Sequence, residues 1–454
     1  MMKQAGVLLH PTSLPEGVLD QHVERFLAWM VHSGLRVWQM LPLGPPHRDR
    51  SPYQAYSSHA LNPALLPVAV ASGEVDEEEF AAFVVSHAFW IEDYALFVAL
   101  RERYDDCSWS SWPEPFRHRE AAALERARVE LAPRLEHLKI EQFLLFKRWG
   151  QVRKLARQHG IKLFGDVPIA VAYDSADVWA APQLFKLDAD LNPTVVAGVP
   201  PDYFSETGQR WGNPHYNWQQ MQRNGFAWWR ARMASALQLF DLVRIDHFRG
   251  LQALWEIPAS CETAIDGQWV ETPGRELLEV LSKDFPERPF VAEDLGIITP
   301  EVVALRKAFD LPGLSVLQFG FDGHVDNPHN VRNQVENSVV YTGTHDNNTT
   351  CGWFQSLDAA LQEQVLAQLP IPSGGMPWPL IEAALRSPAR LAVIPMQDWL
   401  GLDERYRMNT PGTTEGNWCW RFSWSQVPET LAGEIRRRLR ESDRLIDEGM
   451  QRDV

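Results

Sequence analysis

Three acidic residues stand where an apolar run gives way to charge. Asp246 ends Leu242-Val243-Arg244-Ile245-Asp246-His247-Phe248-Arg249-Gly250, Glu293 follows Phe290-Val291-Ala292, and Asp346 follows Val339-Val340-Tyr341-Thr342-Gly343-Thr344-His345. Side chains two apart on a strand face one side, so Arg244 and Asp246 are expected to project together while Val243 and Ile245 pack the other way. A guanidinium beside a carboxylate favours its ionised form, the form a carboxylate nucleophile requires. Taken singly, Arg-x-Asp reads as a structural ion pair, Glu293 as a helix N-terminal charge and Asp346 as a loop or capping residue. Three acids at equivalent strand ends weigh the other way.

Two carboxyls in different protonation states are what cleavage of a glycosidic bond needs, one attacking or stabilising the sugar cation and one protonating the leaving oxygen. Apolar strand neighbours suit Glu293 to the acid/base role, because burial disfavours its charged form. Asp346 is left to hydrogen-bond sugar hydroxyls, with His345 as a donor beside it.

Such acids need elements to hold them. Eight short apolar runs, 7–9, 36–41, 161–167, 242–245, 289–292, 314–319, 338–341 and 391–395, alternate with amphipathic helical stretches. That pattern predicts an α/β fold, a (β/α)8 TIM barrel with helical and loop insertions between strands, whose C-terminal strand ends build the site. The 454 residues read as one catalytic barrel unit. Within it, 63–159 reads as a helical insertion after strand 2, with helices over 91–104, 117–138 and 141–159 and Gly160 as a C-cap candidate. Residues 169–241 read as a loop/helix insertion after strand 3 whose Gly, Pro and aromatic content over 198–216, including Asp202, Tyr203 and Phe204, marks a structured loop. A helix over 226–240 leads back to the Asp246 strand, and 428–449 reads as a charged terminal helix with Leu431, Ile435, Leu439 and Ile446 on its apolar side.

The formal charge of −16 argues against nucleic-acid and anionic-membrane partners. Nineteen Trp and nine Tyr suit large cores or the faces of sugar rings. The N-terminal apolar run is stopped by His10-Pro11, which predicts neither a signal peptide nor a membrane span and so a cytoplasmic protein. Cys107, Cys261, Cys351 and Cys419 form no C-x-x-C pair, consistent with free thiols and no zinc site. No metal is expected in the reaction.

The chain resembles the amylomaltases, the 4-α-glucanotransferases or disproportionating enzymes of the α-amylase superfamily. The resemblance rests on Gly6-Val7-Leu8-Leu9-His10-Pro11-Thr12-Ser13-Leu14-Pro15, Trp38-Gln39-Met40-Leu41-Pro42-Leu43-Gly44, Ser51-Pro52-Tyr53-Gln54, Gly165-Asp166-Val167-Pro168-Ile169, Gln209-Arg210-Trp211-Gly212-Asn213-Pro214, the three acidic segments and Arg407-Met408-Asn409. It implies a retaining enzyme in which Asp246 is nucleophile, Glu293 acid/base and Asp346 transition-state stabiliser, working without a cofactor. It also implies sugar contacts at Ser51, Tyr53, Asp166, Gln209, Trp211, Arg244, Asp322, His345 and Asn417, with Tyr53 and Trp211 as stacking platforms. The substrates it implies are α-1,4-glucan donors and glucose or maltooligosaccharide acceptors. Residues 251–274, with Trp255 and Trp269, match the family's loop over the cleft. The chain departs from the family at Glu16-Gly17-Val18-Leu19-Asp20-Gln21, where a G-x-G-D-L-G-like turn is usual, and in a short 45–50 loop. A hydrolase would keep the same three acids, and donor length, acceptor preference and oligomeric state stay open.

Overall fold

The computed structural model describes residues 3–72, 75–201, 205–370 and 374–446. All eight apolar runs are strands of one parallel sheet: β1 (Gln4–Leu8), β2 (Val37–Gln39), β3 (Lys162–Val167), β4 (Leu242–Ile245), β5 (Phe290–Ala292), β6 (Gly313–Val316), β7 (Ser338–Tyr341) and β8 (Leu391–Pro395). Their order is β6-β7-β8-β1-β2-β3-β4-β5. The ladder is open between β5 and β6, where Ala292 N donates to Pro312 O at 2.8 Å. Asp294 completes the hoop with its side chain: Oδ1 accepts from Leu314 N of β6 at 2.7 Å, and Oδ2 lies 2.9 Å from Arg306 Nε. A Cβ on Gly313 would meet that carboxylate at 2.6 Å, so this strand start has to be bare.

Alternation along the strands makes two cores. Leu8, Val37, Phe164, Val291, Leu314, Val316, Val339, Tyr341, Leu391 and Val393 fill the barrel interior, while Val7, Trp38, Leu163, Val243, Ile245, Ala292 and Ile394 face the surrounding helices. Gly165 in β3 faces the helix layer so closely that a Cβ would stand 2.1 Å from the Phe240 ring.

The stretch between β2 and β3 is helical, with Glu77–Ser86, Ala88–Arg103, Ala121–Glu130 and Ala132–Gln158 as its main helices. The expected boundary near 138–141 does not exist, and Ala132–Gln158 runs unbroken for 27 residues. The break falls earlier, at Leu131, because Pro133 is at home in a helix's first turn and not in its interior. Helix Ala227–Leu239 returns to β4. The terminal helix spans Leu431–Glu441, burying Leu431, Ile435 and Leu439, while 447–449 and 202–204 lie outside the described residues. Arg444, with no exposed surface, donates to the carbonyls of Gln4 (2.8 Å), Leu385 (2.6 Å), Ser387 (3.0 Å) and Ala389 (2.9 Å). No single described helix is long and apolar enough to cross a membrane.

One feature differs from the expected loops. A four-stranded antiparallel sheet, in the order Gln209–Pro214, Val195–Val199, Ala253–Pro258, Gln268–Glu271, joins the segment after β3 to the one after β4.

Candidate active site

The register of β3 on β4 sets Asp166 beside Arg244. Both side chains turn in at the C-terminal strand ends, and Arg244 Nη1 meets Asp166 Oδ1 and Oδ2 at 2.8 and 2.7 Å. The same nitrogen lies 2.8 Å from Asp246 Oδ1, the two-apart arrangement expected from sequence. Tyr53 Oη donates to Asp166 Oδ2 at 2.6 Å, and its ring lies parallel to His345 at 5.3 Å. Burial pushes the Asp166 carboxyl up from its ordinary value, against the pull of Arg244. Arg244 is thus shared between a buried carboxylate and Asp246, whose side chain keeps 25% of its surface exposed.

Glu293 follows β5 and is buried. Backbone N–H groups of His247 (2.6 Å) and Leu295 (3.1 Å) donate to its two oxygens and fix its carboxyl. Burial pushes it up to about 8; Arg244 opposes the rise and the Asp246 charge adds to it. Two acids in one cleft are therefore held apart in character, one half-open and ion-paired, the other dry and proton-holding at neutral pH. His247 takes the left-handed conformation (φ 47°, ψ 51°), which turns its N–H toward Glu293.

Asp346 is exposed on the loop after β7. Its Oδ1 accepts from Asn409 Nδ2 at 2.7 Å, its backbone carbonyl accepts from Arg407 at 2.9 Å, and His345 Nε2 lies 3.4 Å from its Oδ2. Trp211 lies on strand Gln209–Pro214, its ring edge-on to His247 at 4.9 Å and its Nε1 donating to Gln209 Oε1 at 3.1 Å.

These groups line one open cleft of about 1200 Å³ that gathers Ser51, Tyr53, Gln209, Trp211, Arg244, Asp246, Glu293 and Asp346. Asp166 and His345 sit behind the lining, against Tyr53. Two expected contacts, Asp322 and Asn417, are not among the residues lining this cleft. Asp322 is exposed in the loop after β6, its Oδ1 accepting from His324 N at 3.0 Å. Asn417 shapes its own turn, Oδ1 accepting from Thr410 N (2.9 Å) and Nδ2 donating to Thr413 O (3.0 Å). Within residues 251–274, Trp255 and Trp269 pack edge-on to each other at 5.2 Å in the small sheet. The sequence reading missed His247, Asn409 and Trp418 as lining residues. His247 and Asn409 lie inside the Asp246 and Arg407 motifs, where no local signal sets them apart from the neighbouring acid and arginine.

A (β/α)8 barrel with an ion-paired carboxyl beside a buried one at its C-terminal mouth is an architecture suited to an enzyme that acts on glycosidic bonds. The 4-alpha-glucanotransferase family model matches residues 9–78 and 69–426. The 4-alpha-glucanotransferase of Thermus thermophilus is 46% identical, the match covering 96% of this chain and 97% of that one, and the Synechocystis sp. enzyme of the same name is 41% identical over 95% and 96%. Among solved structures, amylomaltase from Streptococcus agalactiae in complex with acarbose superposes with a TM-score of 0.94 at 29% identity, covering 98% of this chain and all of that one. The chain belongs to the 4-alpha-glucanotransferase family, as its motifs led one to expect, and is an enzyme of α-glucan metabolism.

Proposed function

We propose that the whole chain is one catalytic unit, acting in the cytoplasm, that moves α-1,4-glucan segments from a maltooligosaccharide donor to the 4-hydroxyl of a glucose or glucan acceptor through a covalent glycosyl-enzyme intermediate. Asp246 attacks the anomeric carbon while Glu293 gives its proton to the departing 4-oxygen; Glu293, now ionised, then takes the proton of the incoming hydroxyl as the Asp246 ester breaks. Asp346 accepts hydroxyls of the ring being distorted, and Arg244, Asp166, Tyr53 and His345 hold the floor of that subsite. Ser51, Gln209 and Trp211 contact further glucose units from the rim.

The observation that carries this reading is the split between the two carboxyls: Asp246 ion-paired to Arg244 at 2.8 Å and Glu293 pushed up to about 8 within the same cleft. Glycosidic cleavage asks for an ion-paired carboxyl beside a buried one that holds its proton, and the cleft supplies both surroundings. With pure maltotriose as sole substrate, glucose and a ladder of longer α-1,4-glucans are expected, at a nearly constant number of reducing ends because each cleaved linkage is remade. Reducing ends rising in step with maltotriose loss, without longer chains, would instead identify net hydrolysis.

A further inference from the structure

The loop from Thr342 to Thr350 carries His345, whose ring packs against Tyr53 and Trp418, and Asp346, which is bonded by Asn409 and Arg407. Thr344, His345, Asn347, Asn348 and Thr349 roof a cavity whose other walls include His10, Met408 and Asp398. The contacts of His345 and Asp346 hold the middle of the loop, and polar tethers hold its ends. Asp398, from the short helix Met396–Trp399 that follows β8, is 1% exposed. Its Oδ2 accepts from Thr342 Oγ1 at 2.5 Å and from Thr350 Oγ1 at 2.7 Å, and its Oδ1 accepts from Thr350 N at 2.7 Å. One carboxyl thus joins the end of β7 to the first residue of helix Thr350–Ser356 and draws the loop's two ends together. Gln318 ties the same ends more weakly, its N donating to Thr342 O at 3.3 Å and its Nε2 to Asn348 O at 2.9 Å.

We propose that Asp398 is a positioning residue for glucan transfer: it fixes the height and tilt of the loop so that Asp346 meets the distorted sugar, while touching no sugar itself. The inference rests on the role given to Asp346 above. Misplacing a contact group by about 1 Å costs up to about 100-fold in rate, so Asp398→Asn, which replaces the oxygen shared by the Thr342 and Thr350 hydroxyls with an amide group, is expected to lower kcat on maltotriose about 10- to 100-fold, with KM changed less than about 3-fold.

Loss through Asp346 is separable from general damage by a double-mutant cycle read with α-glucosyl fluoride as donor. In an Asp346→Asn background, Asp398→Asn should cost less than about 3-fold further, because the group it positions is already gone. Equal fold losses in both backgrounds would overturn the positioning role. Should Asp346→Asn alone leave transfer intact, the role of Asp346 fails first, and that outcome is read from the single variant. If Asp398→Asn does not fold, Thr342→Val removes one tether at constant shape and should reproduce the loss, while Thr342→Ser, which keeps the hydroxyl, should restore the rate. A Thr342→Val enzyme at full rate would likewise overturn the proposal.

Discussion

At the scale of single residues, Glu293 carries the sharpest consequences. Its proton is what the leaving oxygen of a natural glucan needs, so Glu293→Gln should slow transfer from maltooligosaccharides by about 100- to 10,000-fold. A donor with an activated leaving group, such as a glucosyl fluoride, needs little protonation and should lose far less in its first step; equal losses on both donors would count against the acid role. The same carboxyl sets a high-pH limb, kcat/KM falling as pH rises through about 8. It also taxes stability. Burial raises Glu293 from 4.5 to about 8, so between those values the folded chain holds a proton that the unfolded chain has released. Stability from this group is full below about 4.5 and lost as pH climbs through about 8. Melting curves of wild type and Glu293→Gln, taken at pH 5 and pH 8, should therefore show the variant gaining on the parent at the higher pH. An unchanging gap would mean that the carboxyl titrates normally. All three acids stood out in the sequence because each ended an apolar run.

At the scale of elements, strands that fill a barrel announce themselves by continuous apolar runs, and all eight could be read that way. The small antiparallel sheet could not. Its strand Gln209–Pro214 holds a Gly, an Asn and a terminal Pro, is exposed along its first half, and gains its order from Val195–Val199, which itself pairs with Ala253–Pro258, a partner some 60 residues downstream. Pairing across that distance leaves no period in the sequence. The cleft-side position of Trp211 follows from this sheet and not from a Gly/Pro loop. A further element property lies at the β5–β6 opening, where Asp294 replaces a ladder bond. Asp294→Ala leaves the Leu314 N–H without its acceptor and takes the carboxylate from the Arg306 guanidinium, which keeps the Leu311 carbonyl, a change expected to cost about 3 kcal/mol or more. Denaturant unfolding checks the cost, and amide exchange at Leu314, faster in the variant than at neighbouring β7 amides, checks its location.

At the scale of the whole molecule, the barrel is fastened from below by Arg444. Five donors in a fixed fork suit an arginine to gather several carbonyls at once, and Arg444→Met takes this donor from those of Gln4, Leu385, Ser387 and Ala389, of which Ser387 keeps Lys3 Nζ at 3.1 Å. The expected loss is about 3 kcal/mol or more in unfolding free energy, with the transfer rate per folded molecule unchanged, because the site lies at the opposite mouth. A loss of rate at temperatures well below the variant's melting point would show that the two mouths are coupled. The fastening has a topological corollary. Since Arg444 bonds to the carbonyl of Gln4, the first strand and the last described segment meet under the barrel. A short peptide joining them there, with new ends opened at the Leu131 break between helices Ala121–Glu130 and Ala132–Gln158, would give a circular permutant that keeps every barrel strand intact and begins synthesis with the long helix.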